Sequence, residues 1–130
     1  MLKKTKGFTL VEILIVTVVL ATLAALVVPR ILGQVHKAKE AEAIQSLGAI
    51  RSAELSLQSI SGKFVAATDE AGIKAALGLT IGGGFYRYKI IDVTDENFSA
   101  VAIPLGVLDN WLQEIKINKD GFVGYFPGGG

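Results

Sequence analysis

One carboxylate lies alone in a long apolar stretch near the N-terminus. Glu12 is the only charged residue between Lys6 and Arg30, and most residues from Phe8 to Pro29 are apolar. A helix of about 22 such residues is about 33 Å long, enough to cross the hydrocarbon core of a bilayer. A carboxylate inside such a span is costly unless it has a partner, so Glu12 is the first candidate functional residue.

Basic residues precede this apolar stretch. Lys3, Lys4 and Lys6 stand immediately before it, and lysines next to a membrane span remain on the cytoplasmic side. The pattern predicts a cytoplasmic N-terminus, with the rest of the chain outside. A secretory signal peptide and an ordinary signal anchor are alternatives, although the apolar run exceeds the usual signal-peptide core of about 7 to 15 residues.

The start of the chain combines a short basic leader, a Gly-Phe junction, a glutamate one helical turn later and a membrane-length span. These residues read Lys6-Gly7-Phe8-Thr9-Leu10-Val11-Glu12-Ile13. They resemble the N-terminus of type IV pilins and type II secretion pseudopilins, in which a membrane aspartic peptidase cleaves after the glycine and methylates the new amine. The resemblance implies that residues 1–7 are a leader peptide, cleaved between Gly7 and Phe8, and that Phe8 is N-methylated.

The resemblance also implies a partner for Glu12. In the family, this glutamate pairs with the N-terminal amine of an adjacent subunit, which here belongs to Phe8, and the pair directs subunit assembly. At about 4 Å and an effective dielectric constant of about 20, the attraction is on the order of 4 kcal/mol before desolvation reduces it. The alternative is a Glu12 that is protonated or extends towards the membrane interface.

The helix is predicted to continue beyond the membrane as an amphipathic segment. Apolar residues recur at spacings of three and four, which places them on one helical face. These residues are Ala43, Leu47, Ile50, Ala53, Leu57 and Ile60, whereas the polar residues between them, such as Arg51, Glu54 and Gln58, are assigned to the other positions. With a stop at Ser61-Gly62, the helix would extend from about Phe8 to Ile60.

Pro29 interrupts this helix near the predicted outer face of the membrane. Proline removes one backbone hydrogen bond and clashes with the preceding turn, so we expect a kink or a loosened turn, with Gly33 as a second weak point. The resemblance implies a segment that can unwind in a filament. However, residues before Pro29 include alanines and threonines where many pilins have a glycine, so a tolerated kink without a further role remains the alternative.

The second half of the chain predicts a small antiparallel sheet. Asp69 to Leu79 could form one or two helical turns, and Gly82-Gly83-Gly84 reads as a loop. Two hairpins follow from alternating apolar runs and turn residues. Their strands are Phe85 to Val93 with Phe98 to Ile103, and Ile115 to Ile117 with Phe122 to Phe126.

These elements predict an α+β fold, in which the long N-terminal helix packs on a sheet of about four strands. Residues 63–130 alone are too few for a stable core, so the apolar helix face should form its other wall. We therefore divide the chain into a leader at 1–7, a transmembrane and assembly helix at 8–30 and a globular head at 31–130.

No group of residues predicts catalysis or a cofactor. The single histidine, His36, lies in a charged stretch, and the chain has no cysteine, so the usual zinc ligand sets are missing. The acidic pairs Asp69-Glu70 and Asp95-Glu96 stand in turns, where capping and solvation are their ordinary roles. Three aspartates could offer oxygen ligands to calcium, but their spacing matches no known loop. These are Asp92, Asp95 and Asp120.

Net charge gives no indication of nucleic-acid binding. Loss of the leader would lower Lys and Arg from 13 to 10 against 12 Asp and Glu, a formal charge of −2, and no basic patch indicates nucleic acid. The absence of cysteine also departs from the many pilins that close a C-terminal loop with a disulfide. Trp111 is predicted to be a packing anchor for the sheet.

The sequence thus predicts a structural filament subunit and no enzyme. The resemblance implies as partners a prepilin peptidase and methyltransferase, an inner-membrane platform protein, a cytoplasmic assembly ATPase, membrane lipid before assembly, and further copies of the chain. It implies a single-pass inner-membrane protein with its head outside, later part of a periplasmic or cell-surface filament. Surface pilus, secretion pseudopilus and DNA-uptake filament all fit, and the alternative class is a membrane-anchored periplasmic binding domain that never polymerises.

Processing gives the first testable prediction. In a host that carries the peptidase, the mature protein should begin at Phe8 with a methylated amine. Gly7→Ala should be the mildest damaging change at the junction, because the peptidase must accommodate a very small residue. N-terminal mass analysis of membrane fractions measures both, and an intact leader in such a host would contradict the prediction.

Overall fold

A computed structural model of the protein describes residues 6–82, 84–106 and 112–127. The elements are α1 (Leu10–Ser61), α2 (Glu70–Leu77), β1 (Tyr86–Ile91), β2 (Ser99–Pro104), β3 (Glu114–Asn118) and β4 (Val123–Phe126). This arrangement confirms the predicted α+β class. Trp111 and Gly83 lie outside the described residues, so the packing role of Trp111 stays a prediction.

The chain divides into two compact units, of which the first ends at Val35 and the second begins at His36. The first unit contains the apolar half of α1, which is long and apolar enough to cross a membrane by length and composition. Its threonine hydroxyls donate to carbonyl groups one turn earlier, Thr17 to Leu14 at 2.8 Å and Thr22 to Val19 at 2.7 Å. These local bonds satisfy the hydroxyls without water, as an apolar environment requires.

Pro29 lies inside α1, which continues on both sides of it as one helix. The kink expected at this residue stays a prediction, as do the boundaries at 7/8 and 30/31, which concern processing and the membrane.

The second unit contains a four-stranded antiparallel sheet in the order β1-β2-β3-β4. Both predicted hairpins are present, with strand ends that differ by at most two residues from the predicted ones. β1 ends at Ile91 because Asp92 adopts a left-handed conformation with φ of 53°, which does not continue a strand. α2 matches the predicted one or two turns, and Asp69 caps its N-terminus by accepting a bond from the Gly72 N–H at 2.7 Å.

The core of this unit lies between α1 and one face of the sheet. Ala43, Leu47 and Ile50 of α1 are fully buried in one apolar cluster with residues of all the first three strands. The strand members of this cluster are Tyr86, Tyr88, Ile90, Ala100, Ala102, Ile115 and Ile117. The expectation that the helix supplies the other wall of the core is therefore confirmed.

The predicted apolar face of α1 is wrong beyond Ile50. Ile60 is 86% exposed, and Ala53 and Leu57 are only half-buried, whereas Glu54, assigned to the polar face, is fully buried. Positions 43, 47, 50 and 54 form one stripe at the average helical spacing. Positions 53, 57 and 60 turn progressively away from the core. The residue buried in this last part of the helix is therefore Glu54 and not Ile60.

The turn between β3 and β4 is attached directly to α1. The Arg51 Nε donates to the Lys119 carbonyl oxygen at 2.7 Å, across 68 positions of sequence. Gly121 in the same turn has a φ of 85°, and a Cβ there would lie 3.3 Å from the Arg51 guanidinium carbon. The backbone conformation therefore favours glycine, and any side chain there would also have to displace the Arg51 guanidinium slightly.

Two isoleucines on α1 test the corrected helix face. Ile50→Ala should destabilise the head by about 2 to 5 kcal/mol, because it leaves a cavity in the core. Ile60→Ala is the matched control and should change stability by less than about 0.5 kcal/mol. Hydrogen exchange of the β2 amides, measured on the full chain in detergent, reports the free energy of unfolding. Equal effects of the two substitutions would contradict the assignment.

Candidate functional site

The candidate site lies where the chain enters α1. Gly7 and Phe8 precede the helix, and Phe8 is 85% exposed within the single chain. A Cβ on Gly7 would meet no atom within 4 Å. The fold of this chain therefore imposes no need for glycine at position 7, so a requirement for it would come from an external protein that binds this segment.

Glu12 has a partner within its own chain. Its Oε2 accepts a hydrogen bond from the Thr9 N–H at 2.9 Å, and the Thr9 Oγ1 accepts one from the Glu12 N–H at 3.2 Å. This reciprocal pair is a capping box, which satisfies two N–H groups at the start of a helix. The negative charge also lies at the positive end of the helix dipole, which favours it.

Sequence reasoning missed this capping box. It treated Glu12 as an acid without a partner in the span, although the Thr9-x-x-Glu12 spacing is the known signal for such a cap. The carboxylate therefore already has a local role before any assembly. Its Oε2 holds the cap, and the carboxylate retains acceptor capacity for a further donor.

The other polar residues selected from the sequence lie elsewhere, and three of the aspartates and glutamates among them have structural contacts. Asp69 caps α2, and the Glu70 Oε1 accepts a bond from the Tyr88 N–H at 2.9 Å, so this acidic pair serves the backbone. Asp92 pairs with Lys116 at 2.8 Å. His36 is half-buried at the start of the second unit. Within the described ranges, no three His, Cys, Asp or Glu residues are grouped to hold a metal ion.

A comparison with protein families identifies the class of this N-terminus. The model of the prokaryotic N-terminal methylation motif matches residues 2–28. This range includes Gly7, Phe8 and Glu12, so the match covers the whole candidate site together with most of the apolar span. It supports a pilin or pseudopilin family and confirms the resemblance inferred from residues 6–13.

The chain is also similar to individual proteins of the type II secretion system. The chain is 35% identical over 69 residues to the type II secretion system core protein G of Vibrio cholerae serotype O1, covering 53% of this chain and 47% of that protein. It is 42% identical over 50 residues to the proteins of the same name from Escherichia coli K12 and Dickeya chrysanthemi, covering 38% of this chain and 34% and 33% of theirs. The chain thus matches from a third to almost half of the length of these relatives.

The capping box predicts a measurable effect of Thr9. Thr9→Ala should remove the acceptor for the Glu12 N–H and destabilise the first turn of α1 by about 0.5 to 2 kcal/mol. Thr9→Ser keeps the hydroxyl and is the matched control. Amide exchange at Glu12, measured by NMR in detergent micelles, should become faster only in Thr9→Ala. Unchanged protection in that variant would show that the cap is absent in solution.

Proposed function

We propose that the chain is a structural subunit of a type IV pilus or a type II secretion-like pseudopilus. In this proposal it is cleaved after Gly7, N-methylated at Phe8 and polymerised through the apolar half of α1. The observation that carries the proposal is the capped Glu12 at the head of an exposed apolar helix, one turn after a Gly-Phe junction that lies outside the helix. The methylation-motif match over residues 2–28 supports it.

The exposure of α1 supports burial against lipid and later against other copies. Every large apolar side chain that the structure describes between Phe8 and Leu32 is at least half exposed within the single chain. A surface of this kind does not remain in water, because its transfer to an apolar environment is favourable by about 25 cal/mol per Å². Membrane lipid can cover it before assembly, and the same helices of neighbouring subunits can cover it in a filament.

The Glu12 carboxylate can serve assembly without giving up its cap. A carboxylate has two oxygens and about four lone-pair sites, and Thr9 uses one of them. Cleavage at Gly7 would create a positively charged amine on Phe8. In a bundle of apolar helices, a Phe8 amine of one subunit beside Glu12 of the next would fix the axial register, because no other charge lies in the span.

The proposal includes the machinery that the resemblance implies. A membrane peptidase and methyltransferase would process the junction, and a platform protein with a cytoplasmic ATPase would drive assembly. The three lysines before the span favour a cytoplasmic leader and a head outside the membrane. The curated relatives are named as type II secretion proteins, which favours the secretion pseudopilus among the possible filaments.

Glu12 variants test this function. Glu12→Ala should leave membrane insertion intact but abolish filaments, since removing one partner of a buried ion pair costs about 3 to 5 kcal/mol. Glu12→Gln should give an intermediate yield and Glu12→Asp should retain most of it. The measurement is the amount of sheared or cross-linked filament relative to the membrane pool, in a host that supplies the assembly machinery.

Two controls make the result specific. Thr22→Val removes a polar group from the same span without removing a charge, so it should assemble normally. N-terminal mass analysis of each variant separates a defect of processing from a defect of assembly. A normal filament yield from processed Glu12→Ala protein would refute the pairing and would favour the anchored, non-polymerising binding domain.

A further inference from the structure

A short segment after α1 is attached to the head at three points. We call residues 62–67 the strap. Phe64 packs on Phe98 with ring centroids 4.9 Å apart. Ala67 exchanges two backbone hydrogen bonds with Ile90 at the free edge of β1, at 3.2 and 2.7 Å. The third attachment is Val65, whose N–H donates to the Oε2 of Glu54 at 3.1 Å.

Glu54 is the only attachment of the three that can carry a charge. Its side chain is fully buried, yet only one of its two oxygens has a hydrogen-bond partner among the described residues. Oε2 accepts from Val65, and Oε1 is buried with no donor. A carboxylate accepts at both oxygens, whereas a neutral acid accepts at its carbonyl oxygen and carries a proton on the other. An oxygen buried without a donor costs the neutral acid less than it costs the carboxylate, so the unequal pattern favours the neutral acid.

The elements around Glu54 provide no cation to balance a negative charge. On α1, Arg51 lies one turn earlier, but its Nε donates to the Lys119 carbonyl oxygen. On the strap, Lys63 is exposed. Within the described parts of the chain, no Lys, Arg or His nitrogen forms an ion pair with Glu54.

The face of the sheet towards α1 also carries no charge close to Glu54. Its titratable groups among the described residues are Tyr86, Tyr88 and Tyr125, of which Tyr125 is half exposed on β4 opposite Ile115. Burial raises the pKa of Tyr88, the Ser46 side chain lowers it by a hydrogen bond, and the carboxylates that raise it further belong to Glu42 and Glu70. The charged side chains of β1 and β3, such as Lys89 and Lys116, occupy positions that alternate with the core residues.

We propose that Glu54 is a proton-dependent latch of the head, which holds the strap against α1 when its carboxyl group is neutral and favours release of the strap when it ionises. Ionisation would bury an unpaired charge, and opening of the strap would return that charge to water. The proton belongs on Oε1, and a buried neutral hydroxyl without an acceptor costs far less than a buried ion.

The direction of the pH dependence follows from burial. Desolvation raises the pKa of Glu54 above its ordinary value of 4.5, and the Val65 N–H lowers it by a smaller amount. A carboxyl group with a raised pKa in the folded state binds its proton more tightly there than in an open strap. The closed strap is therefore fully favoured below pH 4.5 and is weakened as the pH rises through the raised pKa.

Hydrogen exchange at the strap tests the latch on the full chain in detergent micelles. After correction for intrinsic exchange, protection of the Val65 and Ala67 amides should fall as the pH rises from about 4.5 through the raised pKa of Glu54. The fall should be about tenfold for each unit by which the pKa is raised. Glu54→Gln keeps an oxygen for Val65 and does not titrate, so protection in this variant should be high and independent of pH.

Glu70→Gln is the matched control, because Glu70 also accepts a backbone N–H but is only half-buried. It should keep the pH dependence of the wild-type strap. A pH dependence that persists in Glu54→Gln would overturn the proposal. If that variant fails to fold, a carbon-13 titration of the wild-type Glu54 carboxyl decides, and a midpoint at its ordinary value would equally overturn the latch. None of these measurements depends on filament assembly.

Discussion

The head depends on the burial of one apolar face of a sheet of four short strands. Among the described elements, α1 covers this face together with Ile73 of α2 and with Phe64 and Ala67 of the strap. The helix meets this face with Ala43, Leu47 and Ile50, all fully buried. The strands are four to six residues long, and a sheet of this size is marginal without a packed partner. The same helix is continuous with the apolar segment before Val35. One element therefore carries both the core of the head and the surface proposed for assembly.

Two glutamates on α1 show how differently one helix can accommodate a carboxyl group. Glu12 lies in the first turn, where a local cap and the helix dipole favour its charge. Glu54 lies 42 residues later in the core, where burial disfavours its charge and the strap supplies its single donor, the Val65 N–H. The first carboxylate is available to a partner outside the chain. The second is enclosed by the chain itself, so its proton is the only partner that it can exchange.

The sequence predicted the fold class, the two hairpins and the end of α1. These features depend on local signals, namely the spacing of apolar residues and the residue types found in turns. The sequence also selected Gly7, Phe8 and Glu12, which lie within the matched methylation motif, whereas cleavage at this junction and the pairing of Glu12 stay predictions. The prediction that Glu54 lies on the polar face was wrong. The spacing of apolar residues along a helix cannot show that a later segment will donate a hydrogen bond to a buried carboxyl group. The spacing between Thr9 and Glu12 was a signal for the cap. Because the surrounding residues are apolar, Glu12 was instead interpreted as an acid within a membrane span. The strap bond at Val65 arises only from tertiary structure, so no local pattern contains it.

The bond between Arg51 and Lys119 has a consequence for the order in which the head folds. It joins residues 68 positions apart, and Gly121 fits against the same guanidinium group. The helix is made first during synthesis, but it lacks this contact until the β3-β4 turn has been made. Contacts of such long range slow folding, because the intervening chain must lose entropy before the contact forms. Until the strands have been made, Leu47 and Ile50 of a new head are uncovered, and exposed apolar surface of this kind favours aggregation.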